Sequence, residues 1–178
     1  MGADFAMGAS AVVVATQPVK TLWMPVIGIP IAGLIWSVAA IVINAKQVVD
    51  LDLELTSVLL LVMVGGMAQT VAVWVGFSAI VWAMVRGFGK RLALLRVLRL
   101  TSGASWPLWW GAPAIAFWLS GAESQTPLIA VIGLSGLSGF FVLTAQALAK
   151  ETEWSTLLSM SAVGASVVFI SSFVYLNI

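Results

Sequence analysis

Long apolar runs separated by short polar segments form the pattern of this sequence. A membrane-crossing helix needs about 20 mainly apolar residues, since each helical residue adds about 1.5 Å and the hydrocarbon layer is about 30 Å thick. Five stretches meet this requirement, at about 23–45, 57–85, 101–121, 127–148 and 156–178. The pattern predicts an all-α integral membrane bundle of five transmembrane helices, in a single membrane domain over 21–178. Residues 1–20 are expected to form a short N-terminal tail or an interfacial segment.

The first span and the polar segment that follows it carry features that bear on this picture. Pro30 lies inside the first span, so we expect a kink there or a helix that begins properly only near Pro30. Residues 46–56 then place three acids at alternate positions, Asp50, Asp52 and Glu54. This alternation predicts an extended or interfacial segment with one solvated face. No other cluster of oxygen ligands accompanies the three acids, so we expect no metal site.

The second span contains a glutamine near its middle. Gln69, followed by Thr70, lies at mid-membrane depth, where an amide is costly to leave without a hydrogen bond. Two interpretations are open: the side chain bonds across to another helix, or it lines a polar cavity that serves as a pathway or a ligand contact.

A basic segment follows the second span and contains five of the eight basic residues: Arg86, Lys90, Arg91, Arg96 and Arg99. Projected on one helix at 100° per residue, these bases spread around the whole circumference, which does not predict an amphipathic helix. We expect the segment to contact lipid headgroups as a topology anchor, or to provide a docking site for a cytosolic partner.

The third and fourth spans contain the residues expected to pack most closely. The segment Thr101–Pro107 is rich in Ser, Thr and Gly, and Pro107 predicts a helix boundary or a break. In the fourth span Ser135, Gly136 and Gly139 form a small-residue face of the kind that lets helices approach. The candidates for helix packing or for a polar cavity are therefore Gln69, Thr70, Pro107, Ser135, Gly136 and Gly139.

The distribution of basic residues predicts the orientation. With five spans, seven of the eight bases lie on the side that carries the N-terminus and the basic segment. Cytoplasmic loops carry the excess of Lys and Arg, so the N-terminus is expected in the cytoplasm and the C-terminus outside.

Composition excludes several classes of protein. The chain has 178 residues, of which 61% are hydrophobic and 8% are charged, whereas about a quarter of the residues of a soluble domain are charged. It contains neither Cys nor His, so thiol chemistry, the usual general base and the commonest metal ligand are absent from the sequence. We expect no enzyme activity, no cofactor and no nucleic-acid binding.

The basic segment also carries a resemblance. A Gly ends the second span, a short basic segment and a leucine-rich stretch follow, and a break of small residues leads to Pro107. Over about 87–108 this order resembles the Yip domain family of multi-pass membrane proteins. The resemblance implies a protein without a known catalytic centre. Eukaryotic members of this family interact with small Rab-type GTPases and other membrane proteins.

Two functions remain open at this point. The first is a non-enzymatic scaffold or accessory subunit that binds other membrane or cytosolic proteins, with membrane lipid and a protein partner or a homo-oligomer as its contacts. The alternative is a passive channel or a substrate-binding subunit of a small-molecule transporter, with the broken third helix and Gln69 facing one cavity. Short loops favour a bacterial inner membrane.

Overall fold

The computed structural model describes residues 24–50, 54–119 and 127–176, and these residues are all-helical. The helices are α1 Met24–Ile43, α2 Ala45–Asp50, α3 Leu55–Gly87, α4 Leu94–Gly103, α5 Leu108–Leu119, α6 Pro127–Thr152 and α7 Thr156–Leu176. The prediction of an all-α fold is confirmed over this part of the chain. The predicted tail at 1–20 and Asp52 lie outside the described residues.

Two of the described helices are long and apolar enough to cross a membrane. They are α3, over Thr56–Gly87, and α6, over Pro127–Thr152, each with a mean hydropathy of 2.1. The described apolar parts of α1, α5 and α7 are shorter, between 10 and 17 residues.

In the N-terminal part, two alternatives are wrong: a first helix that begins only near Pro30, and an extended conformation at 46–50. α1 begins at Met24 and runs through Pro30 without interruption, so the helix does not begin near that proline. Residues 46–50 are helical rather than extended, because they belong to α2. The alternation rested on only three acids, whereas Ala45, Lys46 and Gln47 favour a helix, so the chain resumes helical structure after a turn at Asn44.

The third predicted span, 101–121, is not one helix. α4 begins at Leu94 and ends at Gly103, and α5 begins at Leu108, so the chain is broken at residues 104–107. Pro107 causes the break, because its ring removes a backbone donor and disfavours helical geometry at Trp106. The predicted break is therefore present, but the helical segment begins seven residues earlier than the predicted span.

α4 and α5 together lie antiparallel to α6. Arg96 near the start of α4 contacts Glu151 near the end of α6, and Gly111 of α5 contacts Gly136 in the first half of α6. α1 lies antiparallel to α3 in the same way, because Gly33 approaches Thr70 whereas Ser37 approaches Gly66. α7 packs against α6 and α3.

The largest apolar core lies at the level of α4. Its buried members come from α3, α4, α6 and α7, with Ala104 just after α4: Phe77, Val81, Val85, Val97, Ala104, Phe140, Ala145, Leu148 and Val163. The phenylalanine rings of Phe77 and Phe140 contact each other in a tilted arrangement, with centroids 5.7 Å apart. This core fixes α4 against the second half of α3.

Candidate functional site

The basic segment folds as a corner between α3 and α4. We call Arg86, Lys90, Arg91, Arg96 and Arg99 the basic corner. α3 ends at Gly87, and Gly89 adopts φ +85°, the left-handed conformation that glycine takes most readily. The N–H of Lys90 donates to the carbonyl of Val85 at 3.1 Å, which closes the helix end. The chain therefore reverses direction within a few residues.

Aromatic side chains hold this corner. The indole N–H of Trp82 donates to the carbonyl of Leu92 at 2.9 Å, which joins α3 to the segment before α4. The guanidinium carbon of Arg86 lies 4.9 Å from the centroid of the Trp82 ring, a cation–π contact. Phe88 meets Trp154 edge to face, with centroids 5.6 Å apart, and so links the corner to the α6–α7 turn.

α4 is amphipathic, contrary to the expectation from the helical projection. Val97, Thr101 and Ser102 are buried on one face, whereas Arg96 lies exposed on the other and Arg99 is half-buried. The projection failed because it treated residues 86–99 as one helix. The turn between α3 and α4 takes Arg86, Lys90 and Arg91 off this helix, and the two bases that α4 does contain, Arg96 and Arg99, lie only about 60° apart on it.

One basic residue of the corner is neutralised by an acid. Arg96 donates two hydrogen bonds to Glu151, from Nε to Oε1 at 2.7 Å and from Nη2 to Oε2 at 2.9 Å. These bonds hold the pKa of the Glu151 carboxyl below its usual range. Both side chains are partly exposed, beyond the apolar part of α6. The pair fastens the start of α4 to the end of α6.

The other four bases form no ion pair within the described residues. Lys90 and Arg99 are half-buried, and Arg86 and Arg91 are exposed. The Nε of Arg99 is buried and has no hydrogen-bond partner in the described part of the chain. The corner therefore presents a positive surface with one internal counter-charge.

A hydroxyl cluster, which the sequence analysis missed, holds the C-terminal part of α4 against α3. The Trp74 indole N–H donates to Oγ1 of Thr101 at 2.8 Å, and Oγ of Ser78 lies 2.8 Å from the same oxygen. Thr101 in turn donates to the carbonyl of Leu98 at 3.1 Å. The signal was present in the sequence, since Trp74, Ser78 and Trp82 are four residues apart and share one helix face.

The helix break packs against glycines. A Cβ built on Gly136 would lie 2.6 Å from the Cα of Gly111 and 2.7 Å from the carbonyl oxygen of Pro107, so only glycine fits there. A Cβ on Gly139 would lie 3.2 Å from the Pro107 ring. Ser135 is exposed and bonds to Ile132 of its own helix. The structure therefore brings Gly136, Gly139 and Pro107 together and leaves Ser135 outside that contact.

Gln69 and Thr70 point to different surroundings. Thr70 donates to the carbonyl of Gly66 at 2.8 Å and lines an apolar cavity of about 290 Å³ between α3, α6 and α7. Gln69 is exposed, and the described residues offer its amide no hydrogen bond. Within the described residues Gln69 therefore bonds to no other helix, and its expected contact with a helix or a polar cavity stays a prediction.

Comparison of the chain with known protein families, curated proteins and solved structures finds no match. The functional interpretation therefore rests on the geometry of the basic corner, the helix break and the surroundings of Gln69.

Proposed function

We propose that this chain is a non-enzymatic multi-pass membrane protein that acts as a scaffold or accessory subunit for other proteins. In this proposal it crosses a membrane five times, through α1, α3, the broken pair α4–α5, α6 and α7. The antiparallel pairing of α1 with α3 and of α4–α5 with α6 supports this order. The N-terminus lies in the cytoplasm, the C-terminus lies outside, and the host is a bacterial inner membrane.

The basic corner is the observation that carries the proposal. It combines a fixed backbone with four bases that have no counter-charge among the described residues, and such a surface attracts anionic groups. Each base near an anionic membrane surface contributes about 1 kcal/mol to the attraction. The corner thus anchors one end of the bundle at the cytoplasmic headgroups, and its exposed Arg91 and half-buried Arg99 are free to bind an acidic segment of a partner protein.

The surroundings of the helix break favour the scaffold over a channel. Ala104, Ser105 and Pro107 are buried, with Ser105 against Gly28 of α1 and Pro107 against glycines of α6, whereas Gln69 is exposed. The alternative, a passive channel or a substrate-binding subunit of a transporter, draws support from the 290 Å³ cavity. Because its lining is almost entirely apolar, that cavity suits an apolar molecule rather than an ion or a polar solute.

The Yip domain resemblance stays part of this proposal. The features of residues 87–108 that carry it correspond to the basic corner, α4 and the buried Pro107. A family whose members bind other membrane proteins is compatible with a corner of this kind.

The proposal is tested by native mass spectrometry of the protein extracted from its own membranes in mild detergent. The test variant is the double substitution Arg91→Gln, Arg99→Gln, which leaves the Arg96–Glu151 pair intact. Lys46→Gln, in α2, is the matched control that removes a base elsewhere. We expect a stoichiometric protein partner in the wild type and the control, and its loss in the double variant. A protein that is recovered without any protein partner but retains a small apolar molecule would refute the scaffold and support the alternative.

A further inference from the structure

The first part of α3 presents a surface that no described residue covers. α3 has 33 residues, and none of the residues in its most apolar 18-residue stretch is buried by the other described residues. Exposed along this part are Gly65, Ala68, Gln69, Ala72 and Gly76, which we call the α3 outer face. At 100° per residue they fall within an arc of about 100°, so they form one continuous strip.

The outer face allows close approach. A Cβ added at Gly65 or at Gly76 would meet nothing within 4 Å, which shows that these glycines are not required by contacts within the described chain. The contrast is Gly66, about 100° around the same helix from Gly65, which packs on Ser37 of α1. Small residues on a membrane helix let a second backbone come near, but they do not by themselves identify what binds there.

Gln69 is the independent observation that calls for a polar partner. Its amide is exposed on this face and has no hydrogen bond within the described residues. It lies 14 residues after Leu55 and 18 residues before Gly87, near the middle of the helix. At that depth no water satisfies the amide, and each unsatisfied polar group in hydrocarbon costs several kcal/mol. The face is therefore incomplete without a group that both donates and accepts a hydrogen bond.

We propose that a second copy of this chain binds this face, so that two α3 helices pack in parallel and the two Gln69 side chains hydrogen-bond to each other. Copies inserted in the same orientation place Gln69 at the same depth, and a carboxamide is both donor and acceptor. A two-fold axis along the membrane normal then satisfies both amides with one pair of contacts. The inference rests on the membrane placement in the proposed function, but not on the basic corner.

Cross-linking in native membranes tests the contact directly. The sequence has no cysteine, so Ala72→Cys introduces a single thiol at the centre of the face. Two such thiols form a disulfide only when their Cα atoms lie within about 7 Å. Oxidation with iodine should give a dimer of twice the monomer mass. Leu60→Cys is the control on the same helix, 61% exposed but turned about 140° away from the face, and it should remain monomeric.

Two further substitutions in the Ala72→Cys background separate the amide from the shape of the face. Gln69→Leu should lower the cross-linked fraction about threefold to tenfold, the effect of one interhelical hydrogen bond. Gly76→Leu should abolish the dimer by holding the helices apart, while the monomer has room for the side chain. Gly164→Leu on α7, where a Cβ also meets nothing within 4 Å, is the matched control and should leave the dimer unchanged.

Any result other than these contradicts the inference, and each contrary result identifies the part of it that is wrong. A monomeric Ala72→Cys protein refutes the second copy, a product of another mass identifies a foreign partner instead, and a yield unaffected by Gln69→Leu removes the amide from the contact. Labelling of a Gln69→Cys protein by a membrane-impermeant maleimide would place residue 69 in water, which refutes the membrane placement itself. Absence of labelling together with absence of the dimer would refute only this inference.

Discussion

The two halves of the bundle are held together by different means. In the half that carries the basic corner, large side chains from α3, α4, α6 and α7 interlock, and hydrogen bonds from Trp74 and Trp82 tie α3 to the chain around α4. In the opposite half, α1 meets α3 through Gly33 and Gly66, and α5 meets α6 through Gly111 and its partners. One half relies on interlocked side chains and the other on close backbone approach.

This difference has a consequence for the surface of each half. A core of interlocking side chains uses the faces of all its helices, so α3 is buried at Phe77, Val81 and Val85. Glycine contacts join helices in pairs and use only a narrow strip of each, so the first part of α3 keeps the rest of its circumference exposed. The packed half therefore suits a rigid anchor, whereas the other half leaves room for a second protein.

The strongest test of this comparison is Gly136→Ala in the glycine-packed half. The new Cβ would meet backbone atoms of Gly111 and Pro107, which cannot rotate away, so α5 and α6 must separate. We expect a loss of about 3 kcal/mol in the free energy of unfolding, measured by titration with a denaturing detergent. Gly164→Ala is the control, because nothing lies within 4 Å of its Cβ, and it should not lower the free energy of unfolding, since alanine favours a helix over glycine. Equal effects of the two substitutions would contradict the packing described for α5 and α6.

Thr101→Val tests the hydrogen bonds of the other half. The substitution keeps the shape of the side chain but leaves the Trp74 N–H and the Ser78 hydroxyl without their buried partner. We expect a loss of about 1 to 3 kcal/mol in the free energy of unfolding. Thr101→Ser retains the hydroxyl and should lose much less. If Thr101→Val is as stable as the wild type, the cluster does not hold α4 in place.

The sequence alone predicts the elements that rest on local chemistry. Long apolar runs predict the helices, and Pro107 predicts the break in the third segment, because both depend on the residues within a single turn or run. Ser155, just before α7, is of a residue type that caps helices, and its Oγ accepts a hydrogen bond from the N–H of Leu158 at 3.3 Å.

What the sequence does not predict depends on where the chain turns. The bases at 86–99 project around a whole circle only if no turn intervenes, and the positive φ of Gly89 changes the angle between Arg86 and Arg96. Gln69 and Thr70 are adjacent in sequence, but the position of α1 decides which of them is covered. Pairings such as Arg96 with Glu151, 55 residues apart, require the tertiary fold.

Gly66→Ala measures how different two glycine contacts are. Here the new Cβ would meet the hydroxyl of Ser37, the end of a side chain, instead of backbone. The serine can rotate at the expense of its 2.8 Å hydrogen bond to Gly33, so we expect a loss of about 1 kcal/mol in the free energy of unfolding. The double variant Gly66→Ala, Ser37→Ala should recover part of this loss. A loss as large as that of Gly136→Ala would show that α1 and α3 cannot adjust.

The smallest expected effect comes from acid acting on the Arg96–Glu151 pair, which fastens the packed half at its exposed end. Because folding lowers the pKa of Glu151, the pair stabilises the fold above the ordinary glutamate pKa of about 4.3, and this contribution disappears as the pH falls through the lowered value. The pair is partly exposed, so its contribution at pH 7 is below about 1 kcal/mol. Glu151→Gln should therefore lower the thermal unfolding temperature slightly at pH 7, and this difference should shrink as the pH falls below about 4.3. A difference between the two proteins that grows as the pH falls would have the wrong sign for a carboxylate stabilised by Arg96.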